Sequence, residues 1–143
     1  MLSKKGFTLV ELTIAIAVMG IATALAVLFS VSTSNNVKNE KLRSERLYQV
    51  KDVHDYTLGW LSSYDTAEYE WESVESQCIT VRKIATDDTF VLRFENGCLY
   101  LEEVIIEVPL VDNVVFAQKD NAVKVTVYYG DYENSFIVYR KTN

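Results

Sequence analysis

The sequence predicts an α+β protein in which a long N-terminal, membrane-spanning helix packs on an antiparallel β-sheet head. Residues 12–31 contain no charged side chain and no proline. An amphipathic helical pattern continues from there to residue 61, and the rest of the chain alternates apolar and polar residues between turn signals. The 143 residues suffice for one modest domain and an anchor.

The apolar segment is long enough to cross a bilayer. Twenty helical residues extend about 30 Å, which matches the hydrocarbon core. Lys4 and Lys5 precede the segment, so we expect the N-terminus to stay in the cytoplasm and the rest of the chain to be exported. The segment is also rich in small residues, which let membrane helices approach closely, although an ordinary anchor contains them too.

The residues around the start of this helix carry a family resemblance. The sequence KKGFTLVE, from Lys4 to Glu11, resembles the leader and cleavage site of type IV pilins and pseudopilins. The resemblance implies that a prepilin peptidase cuts between Gly6 and Phe7 and methylates the new amine of Phe7. It covers about the first quarter of the chain. Many pilins have a proline in the second half of this helix, where Leu28 stands here, so we expect a straighter helix.

The same resemblance implies partners and a location. The partners are other pilin or pseudopilin subunits, the prepilin peptidase, an assembly-platform membrane protein and, before assembly, membrane lipid. The chain would pass from the bacterial cytoplasmic membrane into an extracellular or periplasmic filament. Such subunits serve adhesion, motility, DNA uptake in competence, and type II secretion. The modest length, Leu28 and the lack of a cysteine after Cys98 favour a minor pilin or pseudopilin over a major subunit.

Glu11 is the most informative residue of the segment. An ionised carboxylate in hydrocarbon is costly, and such residues usually have a partner. After cleavage the nearest cation is the amine of Phe7, in the same or a neighbouring subunit. We therefore expect a Glu11–Phe7 salt bridge that sets the register of assembly. The alternative is a solvated carboxylate at the headgroup boundary, and the adjacent Gly6–Phe7 pair favours the assembly role.

The sequence divides into four segments. They are a leader at 1–6, the hydrophobic half of the helix at 7–31, its amphipathic half at 32–61, and a globular head at 62–143. The head is expected to contain a connecting loop at 62–77 and an antiparallel sheet at 78–143. The amphipathic half has an apolar stripe at Leu47, Val50, Val53, His54, Tyr56, Leu58, Trp60 and Leu61. We interpret His54 as a packed core histidine.

Turn signals predict the strand register of the head. Asn96-Gly97 is a two-residue hairpin signal that places Phe94 opposite Leu99 and Leu92 opposite Leu101. A four-residue turn at 85–88 would place Ile79 opposite Phe94 and Val81 opposite Leu92. A second hairpin is predicted around Asp120-Asn121, between strands 114–118 and 123–129. Residues 104–111 would be a connection or edge strand, and 136–140 the last strand.

Two arguments about the cysteines oppose each other. In the predicted register, Cys78 and Cys98 lie two strand spacings apart, about 10 Å, beyond the reach of a disulfide at about 7 Å. An exported compartment nevertheless favours oxidation. A Cys78–Cys98 bond therefore stays open at this point.

The sequence offers little for chemistry. A formal net charge of −6 argues against direct nucleic-acid binding. We find no nucleophile, phosphate-loop or metal motif, so we expect no enzyme activity, no catalytic residues, no cofactor and no metal site. Acid pairs such as Glu102-Glu103 match no calcium loop and are interpreted as solvated surface charge. The alternative function is a bitopic membrane protein with a small exported β-rich sensor or binding domain.

Overall fold

The computed structural model describes residues 8–141. It contains one helix, α1 (Leu9–Ser63), and within the described residues eight strands follow. They are β1 (Tyr69–Glu75), β2 (Cys78–Lys83), β3 (Thr89–Glu95), β4 (Cys98–Leu101), β5 (Val104–Glu107), β6 (Asn113–Lys119), β7 (Ala122–Tyr129) and β8 (Tyr132–Tyr139). The α+β class predicted from the sequence is confirmed. The chain forms two compact units, Met1–Leu42 and Arg43–Asn143, and the second contains all the strands.

The strands form two antiparallel sheets where the sequence predicted one. Strands β1 to β5 form a five-stranded meander, and β6 to β8 form a three-stranded one. Pairing along β5 continues to Val108, whose N–H donates to the carbonyl of Gly97 (2.8 Å). Pro109 follows with no N–H to donate, so the ladder ends there. The two sheets are linked where the Phe116 N–H donates to the Ser76 carbonyl (2.9 Å).

The segment 62–77 is not only a connecting loop as predicted, because it contains β1. Tyr69 and Trp71 are partly buried, whereas Glu70 and Glu72 are exposed. This is the period-two alternation of a strand, hidden in an acidic composition. A bulge between Trp71 and Ser73 shifts the pairing of β1 with β2.

The Asn96-Gly97 hairpin is confirmed. Both turn residues have positive φ, 51° and 73°, as a type I′ turn requires. Leu92 pairs with Leu101 and Phe94 with Leu99, as predicted.

The predicted β2–β3 register is wrong by two residues. Ile79 lies opposite Leu92 and Val81 lies opposite Phe90. The turn comprises residues 84–87, because the Lys83 N–H donates to the Asp88 carbonyl (2.8 Å). A shift of two residues leaves each side chain on its original face, so the apolar pattern could not reveal the error.

The second hairpin forms as predicted, with Lys119 opposite Ala122 around Asp120-Asn121. The last strand begins earlier than predicted, at Tyr132, because Gly130 adopts φ 60° and lets Tyr129 pair with Tyr132 across a two-residue turn.

The buried face of α1 differs in part from the predicted stripe. Val50, Val53, Thr57, Trp60 and Leu61 are buried against the sheets. Three members of the predicted stripe are exposed instead: Leu47 (45%), Tyr56 (45%) and Leu58 (38%). The buried stripe of α1 therefore includes Thr57, which the apolar pattern of the sequence did not indicate.

His54 is not a core residue. Its side chain is 41% exposed, and Nδ1 lies 2.9 Å from Asp55 Oδ1. The ring packs edge-on against Phe136, with 4.4 Å between centroids. It lies at the border of the buried stripe, which explains the error.

The disulfide that the sequence left open is not formed. Cys78 and Cys98 are both free and half-buried. Cys78 lies opposite Arg93 on β3, and Cys98 lies opposite Glu95 on the other side of the same strand. The intervening strand and this offset keep the two thiols apart.

Candidate assembly region

The first turn of α1 is a capping box that joins Thr8 to Glu11. The Thr8 N–H and Oγ1 donate to Glu11 Oε2, at 2.9 and 3.0 Å. In return, the Glu11 N–H donates to Thr8 Oγ1 (3.2 Å). These reciprocal bonds satisfy backbone donors that a helix start otherwise leaves open.

Thr8, unlike Glu11, is not among the residues that the sequence predicts to have a role. The signal was present, because a threonine three residues before a glutamate, ahead of an apolar run, is a capping-box pattern. The other predicted residues of this region, Lys4, Lys5, Gly6 and Phe7, lie outside the described residues.

The apolar part of α1 buries almost none of its side chains. Every large apolar side chain from Leu9 to Val31 is at least 52% exposed. The helix is long and apolar enough to cross a membrane, with a mean hydropathy of 2.5 in its apolar window, none of which is buried. Lipid or other helices must cover such a surface, since water would not.

Three threonine hydroxyls on this surface form hydrogen bonds within the helix. The hydroxyls of Thr13, Thr23 and Thr33 donate to backbone carbonyls three or four residues earlier, at 2.8–2.9 Å. A hydroxyl bonded in this way costs little in lipid. Gly20 exposes backbone on this surface, and a Cβ placed there would meet no atom within 4 Å. The helix surface therefore suits close contact with another apolar helix.

The C-terminal end of α1 is fastened to the five-stranded sheet. Trp60 Nε1 donates to Glu102 Oε1 (3.3 Å), and the Tyr64 hydroxyl donates to the same oxygen. Glu102 holds φ 58° in the β4–β5 turn, a conformation usual for glycine. Burial, and then the Glu102 carboxylate, raise the pKa of Tyr64. Glu102 is thus a structural acceptor, where the sequence suggested solvated charge.

Two salt bridges of Arg82 fix the turn between β2 and β3. Arg82 lies 2.9 Å from Glu70 on β1 and 3.0 Å from Asp87 in the turn. These two carboxylates, Asp87 first, raise the pKa of the guanidinium. Within residues 8–141 no group of three or more His, Cys, Asp or Glu side chains could hold a metal ion.

The comparison with known proteins agrees with this geometry. Residues 1–27 match the family model described as the prokaryotic N-terminal methylation motif. No curated protein and no solved structure shows significant similarity to the chain. This motif and the apolar N-terminal helix support a membrane-anchored, pilin-like subunit. The methylation motif supports a type IV pilin or pseudopilin family for this chain.

Proposed function

We propose that the protein is a minor pilin or pseudopilin, cleaved after Gly6, methylated on Phe7 and assembled through its N-terminal helix. One observation carries the proposal. A methylation motif is followed directly by a helix whose apolar side chains are unburied. Such a surface is stable in lipid before assembly and between like helices after it.

In this proposal Glu11 pairs with the amine of Phe7, in its own or a neighbouring subunit. The capping box is compatible with this pairing. Both Thr8 donors bond to Oε2, which leaves Oε1 for an ammonium group. A neighbour set in the wrong register would leave a charge unpaired in an apolar environment, so the pair favours one register.

The charge pattern supports the direction of export. Lys4 and Lys5 hold the leader in the cytoplasm until cleavage removes them. Their loss changes the formal charge from −6 to −8. The partners are the prepilin peptidase, the assembly platform and other subunits. The role is structural, with no enzyme activity.

A pair of glycine variants tests the proposal. Gly6→Val blocks the close approach of the backbone to the peptidase, so we expect the leader to remain and the chain to be missing from the sheared filament fraction. Gly20→Ala is the matched control, and we expect normal cleavage because no atom meets the added Cβ.

The same pair of variants distinguishes the proposed function from the alternative, a bitopic sensor or binding protein. A bitopic sensor needs the anchor but not Gly6, so Gly6→Val would leave its size and location unchanged. If the wild-type chain and Gly6→Val differed in mass only by the substitution itself, both would have kept the leader. That result would overturn the proposed processing.

A further inference from the structure

The outer strand β5 leaves one edge of the five-stranded sheet free. Within the described residues β5 pairs only with β4. The Val108 N–H points toward β4, where it donates to the Gly97 carbonyl (2.8 Å). Because backbone groups alternate in direction along a strand, the N–H and C=O groups of Ile105 and Glu107 point away from β4. These outward groups have no hydrogen-bond partner in the part of the chain that the structure describes.

The side chains of β5 show that no other segment of the head covers this edge. Val104 and Ile105 are 53% and 57% exposed, and Glu103 and Glu107 on either side of them are exposed too. The pairing of β5 with β4 runs without a bulge. An open edge with exposed apolar side chains is a template for another strand.

The other outer strands of the head are less accessible. Just after β8, the Lys141 N–H donates to Asp65 Oδ2 (2.8 Å), and the Arg140 side chain donates to the Tyr69 carbonyl (3.2 Å). The chain itself therefore covers that end of β8. The strand β1 is interrupted by its bulge, and β6 is bonded to the turn between β1 and β2. Of these outer strands, β5 is the best suited to accept a partner.

Charge selects the strand that this edge can accept. Glu103 and Glu107 lie two residues before and two residues after Ile105, and neither forms a salt bridge with another described residue. Opposite charges on paired strands are stabilising, whereas like charges directly opposite are destabilising. Three apolar residues, 104–106, separate the two glutamates. The complementary strand therefore has two basic residues that flank three apolar ones.

We propose that β5 binds an extended segment of another protein with this pattern, which adds to the sheet as an antiparallel strand. Its central residue lies opposite Ile105, and its two basic residues lie opposite Glu103 and Glu107. Antiparallel pairing continues the geometry of the five-stranded sheet and is slightly more stable per residue than parallel pairing. The contact uses residues of the head alone, so it does not depend on the proposed processing.

The same glutamates disfavour pairing of β5 with a second copy of this chain. A two-fold pairing centred on Ile105 would place Glu103 opposite Glu107 twice. A pairing centred on Ile106 would bring the two Glu107 side chains to diagonal positions on one face and place Pro109, which has no N–H, opposite Glu103. The formal net charge of −6 also repels copies and attracts a basic segment. Specificity thus comes from repulsion as well as attraction.

Disulfide trapping on the full chain in detergent tests the pairing. The protein carries Cys78→Ser, Cys98→Ser and Ile105→Cys, so its single thiol lies on β5. The probe is the acetylated, amidated peptide Thr-Lys-Val-Cys-Val-Lys-Thr, whose cysteine forms a mixed disulfide with glutathione. Attack by the protein thiolate joins it either to the peptide, with release of glutathione thiol, or to glutathione, with release of peptide thiol. Opposite residues have Cα atoms about 5.5 Å apart, within disulfide reach, and intact-mass spectrometry measures the ratio of the two products.

Exchanging the charges tests the recognition. We expect the lysine peptide to be trapped about 2- to 30-fold more than the same peptide with glutamates in place of both lysines, since two opposite-charge pairs form. Glu103→Lys with Glu107→Lys should reverse this preference. Glu72→Lys with Glu75→Lys is the matched control, because it changes the net charge equally at exposed positions of β1 and should keep the preference. Equal trapping of the two peptides, or no reversal, would overturn the proposal.

Methylation of single backbone nitrogens distinguishes strand addition from charge attraction alone. In the antiparallel register the N–H of the first lysine faces the Glu107 carbonyl, so its methylation should reduce trapping. The N–H of the following valine points away, so its methylation should have little effect. Equal trapping of the two methylated peptides would overturn strand addition.

A second copy of the chain is the competing occupant. On mild oxidation without peptide, Ile105→Cys should form no more dimer than Tyr132→Cys, whose position is 61% exposed and lies outside β5. An excess of Ile105→Cys dimer would assign the edge to a second copy and overturn the proposal. Leader cleavage has no part in these measurements, so their failure would leave the proposed processing untouched.

Discussion

A buried threonine in α1 leads to the prediction that a substitution in the core increases the stability of the protein. Thr57 is fully buried in the stripe that faces the sheets, and its Oγ1 has no hydrogen-bond partner within the described residues. Thr57→Val replaces this hydroxyl with a methyl group of similar size. Both residues are β-branched, with similar helix propensity, so the effect comes from the hydroxyl.

The expected gain follows from the cost of an unsatisfied hydroxyl. Burying such a group without a partner costs about 1–3 kcal/mol in proteins. We expect Thr57→Val to stabilise the head by about 1 kcal/mol or more, which raises the Tm of a domain of about 100 residues by roughly 4–8 °C. The assay is thermal unfolding of the full chain in detergent, followed by tryptophan fluorescence, since Trp60 lies in the hydrophobic core and Trp71 packs against it.

Val53→Thr is the reciprocal control. Val53 is also fully buried, about one turn earlier on the same stripe. It introduces an unsatisfied hydroxyl, so we expect a loss of about 1–3 kcal/mol. If Thr57→Val lowered the Tm, the hydroxyl would have a stabilising partner, and the packing of this helix face as described would be refuted.

Three further predictions concern the helix start, the Tyr64 hydroxyl and two glycines. Glu11→Gln keeps an acceptor for the capping box but removes the charge, so we expect normal cleavage with little entry into filaments, whereas Thr8→Ala should still enter; immunoblots of filament and membrane fractions measure both. The raised pKa of Tyr64 gives stability that is present below the unfolded value of 10.0 and is lost as the pH rises above it. Tyr64→Phe should therefore show a shallower fall of Tm above pH 10.0 than the wild-type chain. Gly97→Ala should destabilise the head by about 1 kcal/mol, because its φ is +73°, while Gly59→Ala in open helix should stabilise it by about 0.5–1 kcal/mol; thermal unfolding compares them.

Each of these has a contrary result. Equal filament entry by Glu11→Gln and the wild-type chain would leave Glu11 with a capping role only. Parallel pH profiles for Tyr64→Phe and wild type would exclude Tyr64 as the alkaline group. A stable Gly97→Ala chain would contradict the left-handed turn, and a destabilised Gly59→Ala chain would contradict open space beside the helix.

The structure could be predicted from the sequence best where a local pattern is compatible with only one conformation or environment. The uncharged run at 12–31 admits only a surface covered by lipid or protein, and Asn96-Gly97 admits only a tight hairpin. The hairpin is confirmed, and the apolar run forms a helix with an unburied surface. The capping box of Thr8 and Glu11 is equally local and could have been found.

The errors occurred where a pattern has several equivalent solutions. Apolar alternation repeats every two residues, so it could not choose between Ile79 opposite Leu92 and Ile79 opposite Phe94. The turn at 84–87 has no glycine to fix its length. Residues 69–75 read as an acidic loop because every polar position carries charge or hydroxyl, and β1 became visible only through its pairing with β2.

Tertiary features were beyond local reasoning. The division into two sheets depends on Pro109 ending one ladder and on the Phe116–Ser76 bond beginning another contact. Thr57 in the buried stripe and Glu102 beneath Trp60 and Tyr64 depend on partners far away in the chain. In each of these contacts, neither of the two residues lies in a sequence pattern that predicts the other.

The amino terminus of the chain isolated from its native membrane tests the central claim most directly. Intact-mass spectrometry with terminal fragmentation should find a chain that begins at Phe7 and carries one added methyl group on the amine. A chain that still begins at Met1 and has an unmodified Phe7 would contradict processing, methylation and the charge pair at Glu11 together.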